Sequence, residues 1–239
     1  MKHTAGSTPD IGVIFDMDGV LVDSADAHWR SWRQLADECG ATVTEAQFAA
    51  TFGRQNRDII PFVFGDMPDA TCRRYADRKE SIYRDLIRDD APVVPGAVEL
   101  VNRLYAAGAK LAVGSSAPRA NIDLILDIMR VRDLISVVVS GDDVTRGKPD
   151  PQVFALCCRR LGLPPHQCVV IEDAPAGVEA AKAAGARAVA VLIHHPADAF
   201  ARADMMVARL GDLTPAAVVS VVAGNGHRPN PVSGEADQS

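Results

Sequence analysis

The sequence predicts an α/β fold, a doubly wound parallel sheet interrupted by an all-helical insertion. Three observations predict it. Short apolar runs recur along the 239 residues, the pattern of parallel strands covered on both faces. Helical patterns separate most of them, as crossover connections require. One long segment, from about Ala25 to Asp90, has amphipathic helical spacing and no strand pattern.

The first run, IGVIF at residues 11–15, is the first strand. Within the insertion, HWRSWRQLADECG (28–40) and ATCRRYADRKESIYRDLIRDD (70–90) read as helices. Trp29, Trp32, Leu35 and Tyr83 fall at helical spacing there, so they are expected to face a core. Four more apolar runs follow: KLAVGSS (110–116), ISVVVSG (135–141), CVVIED (168–173) and RAVAVLI (187–193). NRLYAAG (102–108), FALCCRRLGL (154–163) and PAGVEAAKAAG (175–185) lie in the intervals, and the last two contain glycines suited to helix C-caps. The expected organisation is a core of residues 11–24 and 91–222, an insertion at 25–90, and disordered tails at 1–10 and 224–239, where polar composition replaces periodicity.

Composition narrows the function. Thirty-one acidic residues against 25 basic ones give a net charge of -6. No lysine or arginine run offers a track for a phosphate backbone, so nucleic acid is not an expected partner. The five cysteines form an odd set without CxxC spacing, which suits reduced thiols in the cytoplasm. The first ten residues have no apolar signal region, and no run of eighteen apolar residues occurs, so neither secretion nor membrane spanning is expected. Oligomeric state is left open by these features.

Ligands of open α/β sheets collect beyond the carboxyl ends of the strands. Asp16 and Asp18 follow the first run, Ser115 and Ser116 the second, Gly147-Lys148-Pro149 the third, and Glu172 with Asp173 closes the fourth. An unpaired buried carboxylate costs several kcal/mol or more, so acids ending a buried strand call for a cation. Oxygen donors of this kind suit Mg²⁺, whereas clustered histidine and cysteine, which zinc favours, are lacking. Taken singly, Glu172 and Asp173 read equally as helix-start acids, and Lys148 as a solvated lysine. Taken together they suit phosphoryl transfer, where on the order of 20 kcal/mol of barrier must be removed. A carboxylate nucleophile divides that reaction into two steps, and cations offset the repulsion between anions.

The ordered stretches DMDGV, VGSSAP, GKPDP and IEDAPAG resemble the motifs of the haloacid dehalogenase-like superfamily, and the match runs from residue 11 to about 195. The resemblance implies a Rossmann-like core in which Asp16 is nucleophile and metal ligand. It makes Asp18 the general acid/base and a backbone-carbonyl ligand, Ser115 and Lys148 the phosphate stabilisers, and Glu172 and Asp173 the metal acids, with Mg²⁺ as cofactor. The insertion resembles the mobile cap of the branch that contains β-phosphoglucomutase and sugar phosphatases, through ADAHWRSW, TFGRQNRD and DRKESIYRDL. That likeness makes His28, Gly53, Arg54, Arg57 and Lys79 candidate substrate-binding residues, with Ser116 and Arg119 on the core side. Solvated charge is the alternative reading for the cap arginines, Lys79 and Arg119. His194-His195-Pro196 reads as a loop.

The function expected is a magnesium-dependent phosphatase acting on a small phosphorylated metabolite, a sugar phosphate, through an aspartyl phosphate. A β-phosphoglucomutase interconverting β-glucose 1-phosphate and glucose 6-phosphate is the alternative, although SAPRAN after Ser115 lacks the lysine-asparagine pair that this likeness calls for near Pro118 and Arg119. A non-enzymatic binding module is the third class, disfavoured by the intact acid and lysine set. Asp18 speaks against dehalogenation, which needs no second acid.

Overall fold

The computed structural model describes residues 10–51 and 54–225. Its six strands are β1 (Gly12–Phe15), β2 (Lys110–Gly114), β3 (Ile135–Val139), β4 (Cys168–Glu172), β5 (Arg187–Val191) and β6 (Met205–Val207). They form one sheet in the order β3-β2-β1-β4-β5-β6, with every neighbouring pair parallel. The chain starts at the centre, moves outward to β3, then returns across β1 to build β4, β5 and β6. β1 therefore lies at the switch point, where a crevice opens beyond the strand ends.

Both faces of the sheet are covered, so β1 is apolar at every position. Val13 and Phe15 point into one cluster with Leu100, Ile122 and Val169, and Ile14 points into the other with Phe154, Val170 and Ala188. That is the period-two alternation of a strand. The flanking helices are α5 (Ala97–Ala106), α6 (Arg119–Ile128), α7 (Gln152–Leu161), α8 (Pro175–Ala183) and α9 (Pro215–Val222). Helix α7 ends on Gly162 at φ 70°, a left-handed conformation that glycine adopts without strain.

Between β1 and β2 stand α1 (Ala25–Glu38), α2 (Glu45–Thr51), α3 (Asn56–Phe64) and α4 (Asp69–Ile87). They enclose a separate small core of Trp32, Leu35, Ile59, Ile60 and Ile82. Tyr83 and Ile87, at the end of α4, belong to the main cluster of the sheet instead, so α4 joins the two. The stretch TFGRQNRD is only partly loop: Asn56, Arg57 and Asp58 open α3. An internal proline, Pro61, and an unbroken apolar run hide this short helix from periodicity. Strand β6 escapes sequence reading for a related reason, being three half-buried residues at the sheet edge. Gly53 and nearly all of the expected tails lie outside the described residues. Among the described residues no helix is long and apolar enough to cross a membrane.

Ile14 is fully buried on the central strand. Ile14→Ala is expected to cost about 2–5 kcal/mol, seen as a lower urea midpoint with an unchanged slope.

Candidate active site

Asp16 follows directly on β1, and its N–H continues the ladder by donating to Ile171 O at 3.0 Å. The sheet thereby presents its carboxylate at the crevice beside Glu172 and Asp173. One oxygen from each of these three acids lies within 4.8 Å of the others, and all three residues are buried. Lys148 reaches in from the loop after β3, with Nζ 2.8 Å from Asp16 Oδ1 and 2.5 Å from Glu172 Oε1. Its ammonium also sits 4.9 Å from the centre of the Phe154 ring. Glu172 is fully used, because its Oε2 accepts the Ala174 N–H at 2.8 Å. Asp16 Oδ1 is different: it is buried and accepts no hydrogen bond, although Lys148 faces it.

Two carboxylates, of Asp16 and Glu172, therefore share one ammonium, with the Asp173 carboxylate beside them. Burial, reinforced by the charges of Glu172, Asp18 and Asp173, lifts the Asp16 pKa well above the carboxylate range against the pull of Lys148. Burial also lifts Glu172, with Asp173 adding to it. For Lys148 burial works downward, but Asp16 and Glu172 outweigh it and hold the lysine charged. The site is short of positive charge and offers hard oxygen donors, so a divalent cation such as Mg²⁺ fits its residues. Two glycines make the acids fit: a Cβ on Gly19, at φ +79°, would lie 2.0 Å from Asp173 Oδ2, and one on Gly177 would lie 1.7 Å from Glu172 Oε1. Both stand inside the quoted motifs, yet spacing alone gave no reason to single them out.

Asp18 turns the other way. It accepts a hydrogen bond from Ser24 Oγ and lies 3.3 Å from His28 Nε2. Burial acts to raise its pKa, but His28, Ser24 and Lys79 overcome this and bring it down. Its carboxylate is not part of the three-acid cluster, because these partners draw it toward the helical insertion. His28 stacks on Tyr83 at 4.2 Å, and its Nδ1 is 2.7 Å from Lys79 Nζ. A charged lysine only donates, so Nδ1 accepts and Nε2 carries the proton toward Asp18. Lys79 also donates to Glu80 Oε1 at 2.9 Å. Glu80 in turn accepts from Asn56 at 2.7 Å and from Asn121 at 2.5 Å. Burial opposes the ionisation of Glu80, but Lys79, His28 and Asn56 lower its pKa to about 2.

A cavity of about 670 Å³ opens between insertion and core, lined among others by Asp18, His28, Arg54, Arg57, Lys79 and Ser116. Arg57 donates across it to Thr145 O. Ser115 is buried beside β2, its Oγ accepting the Ala117 N–H at 3.1 Å. Arg119 is not brought to the cavity; its Nε donates to Asp123 at 2.8 Å on the outer side of α6. An arginine paired four residues on with an acid of its own helix is a common surface arrangement, and the Arg119 position is explained by it.

Sequence reasoning passed over Ser24, Asn56, Glu80 and Asn121, although the last three stand inside stretches it quoted. His194 lies in a loop, as expected, but its pairing was not foreseen: Nδ1 lies 3.2 Å from Asp173 Oδ2 and Nε2 lies 3.4 Å from Asp23 Oδ1. The hydrogen bond to Asp173 raises its pKa, against burial. Its place, three residues beyond the carboxyl end of β5, was an available signal.

Residues 13–191 match the haloacid dehalogenase-like hydrolase family. The chain belongs to that family. Among its relatives, the validoxylamine A 7'-phosphate phosphatase of Streptomyces hygroscopicus subsp. limoneus is 34% identical over 206 residues, 84% of this chain and 93% of that protein. A phosphorylated carbohydrates phosphatase of Thermotoga maritima is 31% identical over 187 residues, 76% of this chain and 85% of its own length. The crystal structure of a β-phosphoglucomutase from Clostridium difficile has the same fold, with a TM-score of 0.80 over 90% of this chain and 97% of that one at 23% identity. The haloacid dehalogenase-like core, with its helical insertion after β1, is thus the frame of the site.

The lowered pKa of Glu80 is also a stability statement. Its stabilisation is complete above pH 4.5, the ordinary value, and is lost as the pH falls toward about 2; its full size is about 3 kcal/mol. In urea titrations between pH 6 and 3, the stability advantage of the wild type over Glu80→Gln is expected to shrink below pH 4.5. An advantage that stays constant across this range would contradict the ionised, paired state of Glu80.

Proposed function

We propose that the protein is a magnesium-dependent phosphatase that hydrolyses a small phosphorylated metabolite, a sugar phosphate, through an aspartyl phosphate on Asp16. One observation carries this reading: a buried Asp16 oxygen accepts no hydrogen bond, faces Lys148 at 2.8 Å, and shares a cluster with Glu172 and Asp173. The phosphatases among the relatives support it.

Asp16, Glu172 and Asp173, with the backbone carbonyl of Asp18, would hold the metal, and Glu172 also pairs with Lys148. Bound there, Mg²⁺ supplies the positive charge that lets one anion approach another. Asp16 attacks phosphorus through a carboxylate oxygen as the ester P–O bond breaks, and the departing oxygen takes a proton from Asp18. In the second step Asp18, now a carboxylate, removes a proton from water; the water oxygen attacks phosphorus, releasing inorganic phosphate and restoring Asp16. The partners that keep Asp18 ionised suit this second step, His28 holds the carboxylate in place through Nε2–H, and the proton Asp18 takes from water is the one it gives to the leaving oxygen of the next turnover. Lys148 balances charge on Asp16 throughout. Ser115, whose Oγ already accepts the Ala117 N–H, keeps its own proton for a phosphoryl oxygen.

Helices α1 to α4 act as the cap, shielding the reaction from bulk water and selecting substrate through the cavity wall. Arg54, Arg57 and Lys79 on that wall favour an anionic, hydroxyl-bearing molecule, and they would also hold the second phosphate of a sugar bisphosphate. These three cations, set among the acids Asp77, Glu80 and Asp142 of the same wall, are what favours the second reading, a β-phosphoglucomutase. The five free cysteines suit work in the cytoplasm.

A panel of phosphate monoesters with Mg²⁺ separates the two readings. It includes β-glucose 1-phosphate with and without catalytic glucose 1,6-bisphosphate. Free phosphate is the expected product, whereas glucose 6-phosphate without phosphate release marks the mutase. Asp16→Asn is expected to lower turnover by at least about 10³-fold and to abolish acid-labile phosphorylation of the chain. Retention of the wild-type rate would remove Asp16 from the role of nucleophile.

A further inference from the structure

Asn121 stands in the first turn of α6, on the core, and is completely buried. Its amide is satisfied on both sides by α4, which belongs to the cap. Nδ2 donates to Glu80 Oε2 at 2.5 Å, and Oδ1 accepts from Arg84 at 2.9 Å. Glu80 and Arg84 are four residues apart and so share one face of α4. The other oxygen of Glu80 is taken by Lys79 and Asn56, both from the cap. The remaining oxygen thus depends on the core for its hydrogen bond.

A buried, ionised carboxylate that loses a donor must find water in its place. Water has access here, because the cavity is lined by Glu80 and Arg84 on the cap side and by Pro118 and Ala120 on the core side. Seating α4 on α6 therefore exchanges water for Asn121 at Glu80. The same carboxylate holds Lys79, whose ammonium lies 2.7 Å from His28. We infer that the Glu80–Asn121 hydrogen bond is the latch that sets the closed position of the cap, and that Glu80 and Asn121 are positioning residues for Lys79 and His28 at Asp18. This deepens the phosphatase reading and rests on it for its kinetic consequence.

Loosening such a latch lowers the fraction of protein in the closed state. Apparent substrate affinity then falls by that fraction, while saturating substrate still draws the cap shut. Asn121→Asp tests this on the full-length protein. It keeps the side-chain shape and the oxygen facing Arg84, but replaces the donor to Glu80 with a like charge. With p-nitrophenyl phosphate and Mg²⁺, KM is expected to rise at least about tenfold while kcat stays within about threefold. Amide hydrogen exchange in α4 and the first turn of α6 should quicken without substrate. The double variant Glu80→Gln/Asn121→Asp restores a donor facing an acceptor with the same total charge, and is expected to recover KM and exchange to near wild type.

A folded Asn121→Asp protein with unchanged KM and unchanged exchange would overturn the inference, as would a fall in kcat at constant KM. If Asn121→Asp does not fold, Glu80→Gln is compared with the double variant: better KM and slower exchange in the double uphold the latch, and equal values overturn it. Hydrogen exchange needs no turnover. Failure of the phosphatase reading, seen as a wild type inactive on every monoester, is therefore distinguishable from failure of the latch.

Discussion

Three acids gathered at the end of the central strand, two of them on one lysine, impose the constraint to which the rest of the molecule answers. Asp16, Glu172 and Asp173 are buried by the same parallel pairing that makes β1 and β4 stable, so their charge is not relieved by solvent. Lys148 relieves part of it, and both Asp16 and Glu172 draw on that one ammonium. The remaining deficit suits the site to a divalent cation and, in the function proposed above, to a phosphoryl group. Backbone must also come close to these acids, which is why Gly19 and Gly177 carry no side chain.

A second buried charge system governs the insertion. Its small apolar core holds α1 to α4 together, and its contact with the sheet side combines buried Ala27, Tyr83 and Ile87 with ionised and amide groups. Asp18, His28, Lys79, Glu80 and Asn121 form a continuous polar line from the end of β1, through α1 and α4, to α6. Each member is satisfied by the next, so the cost of burying it is met only while the helices keep their places. That couples the position of the insertion to the state of Asp18, the group with which this line begins.

The core motifs were legible because their chemistry is local to strand ends. Asp16, Ser115, Lys148, Glu172 and Asp173 each follow an apolar run, and the rule that ligands gather there needs no knowledge of strand order. His194 obeys the same rule from within its loop, but nothing in its neighbours pointed to Asp173 as its partner. Glu80 and Asn121 were beyond such reasoning, since a glutamate on an amphipathic helix and an asparagine near a helix start are ordinary surface residues in one dimension. Arg119 is a different case. Its neighbour four residues on is an acid, and a pairing on its own helix takes the guanidinium away from the cavity.

By itself the sequence determined the alternating apolar and helical segments, the helical nature of the insertion and the acids and lysine of the core. These follow from side-chain periodicity and from strand ends, both local properties of a chain. Only the tertiary structure decided that β1 lies at the switch point, that Asp18 turns toward His28 rather than joining the three acids, and that Glu80 meets Asn121 across 41 residues of chain. Such meetings depend on how helices dock, and docking is set by the joint packing of many side chains whose separation in sequence gives no sign of it.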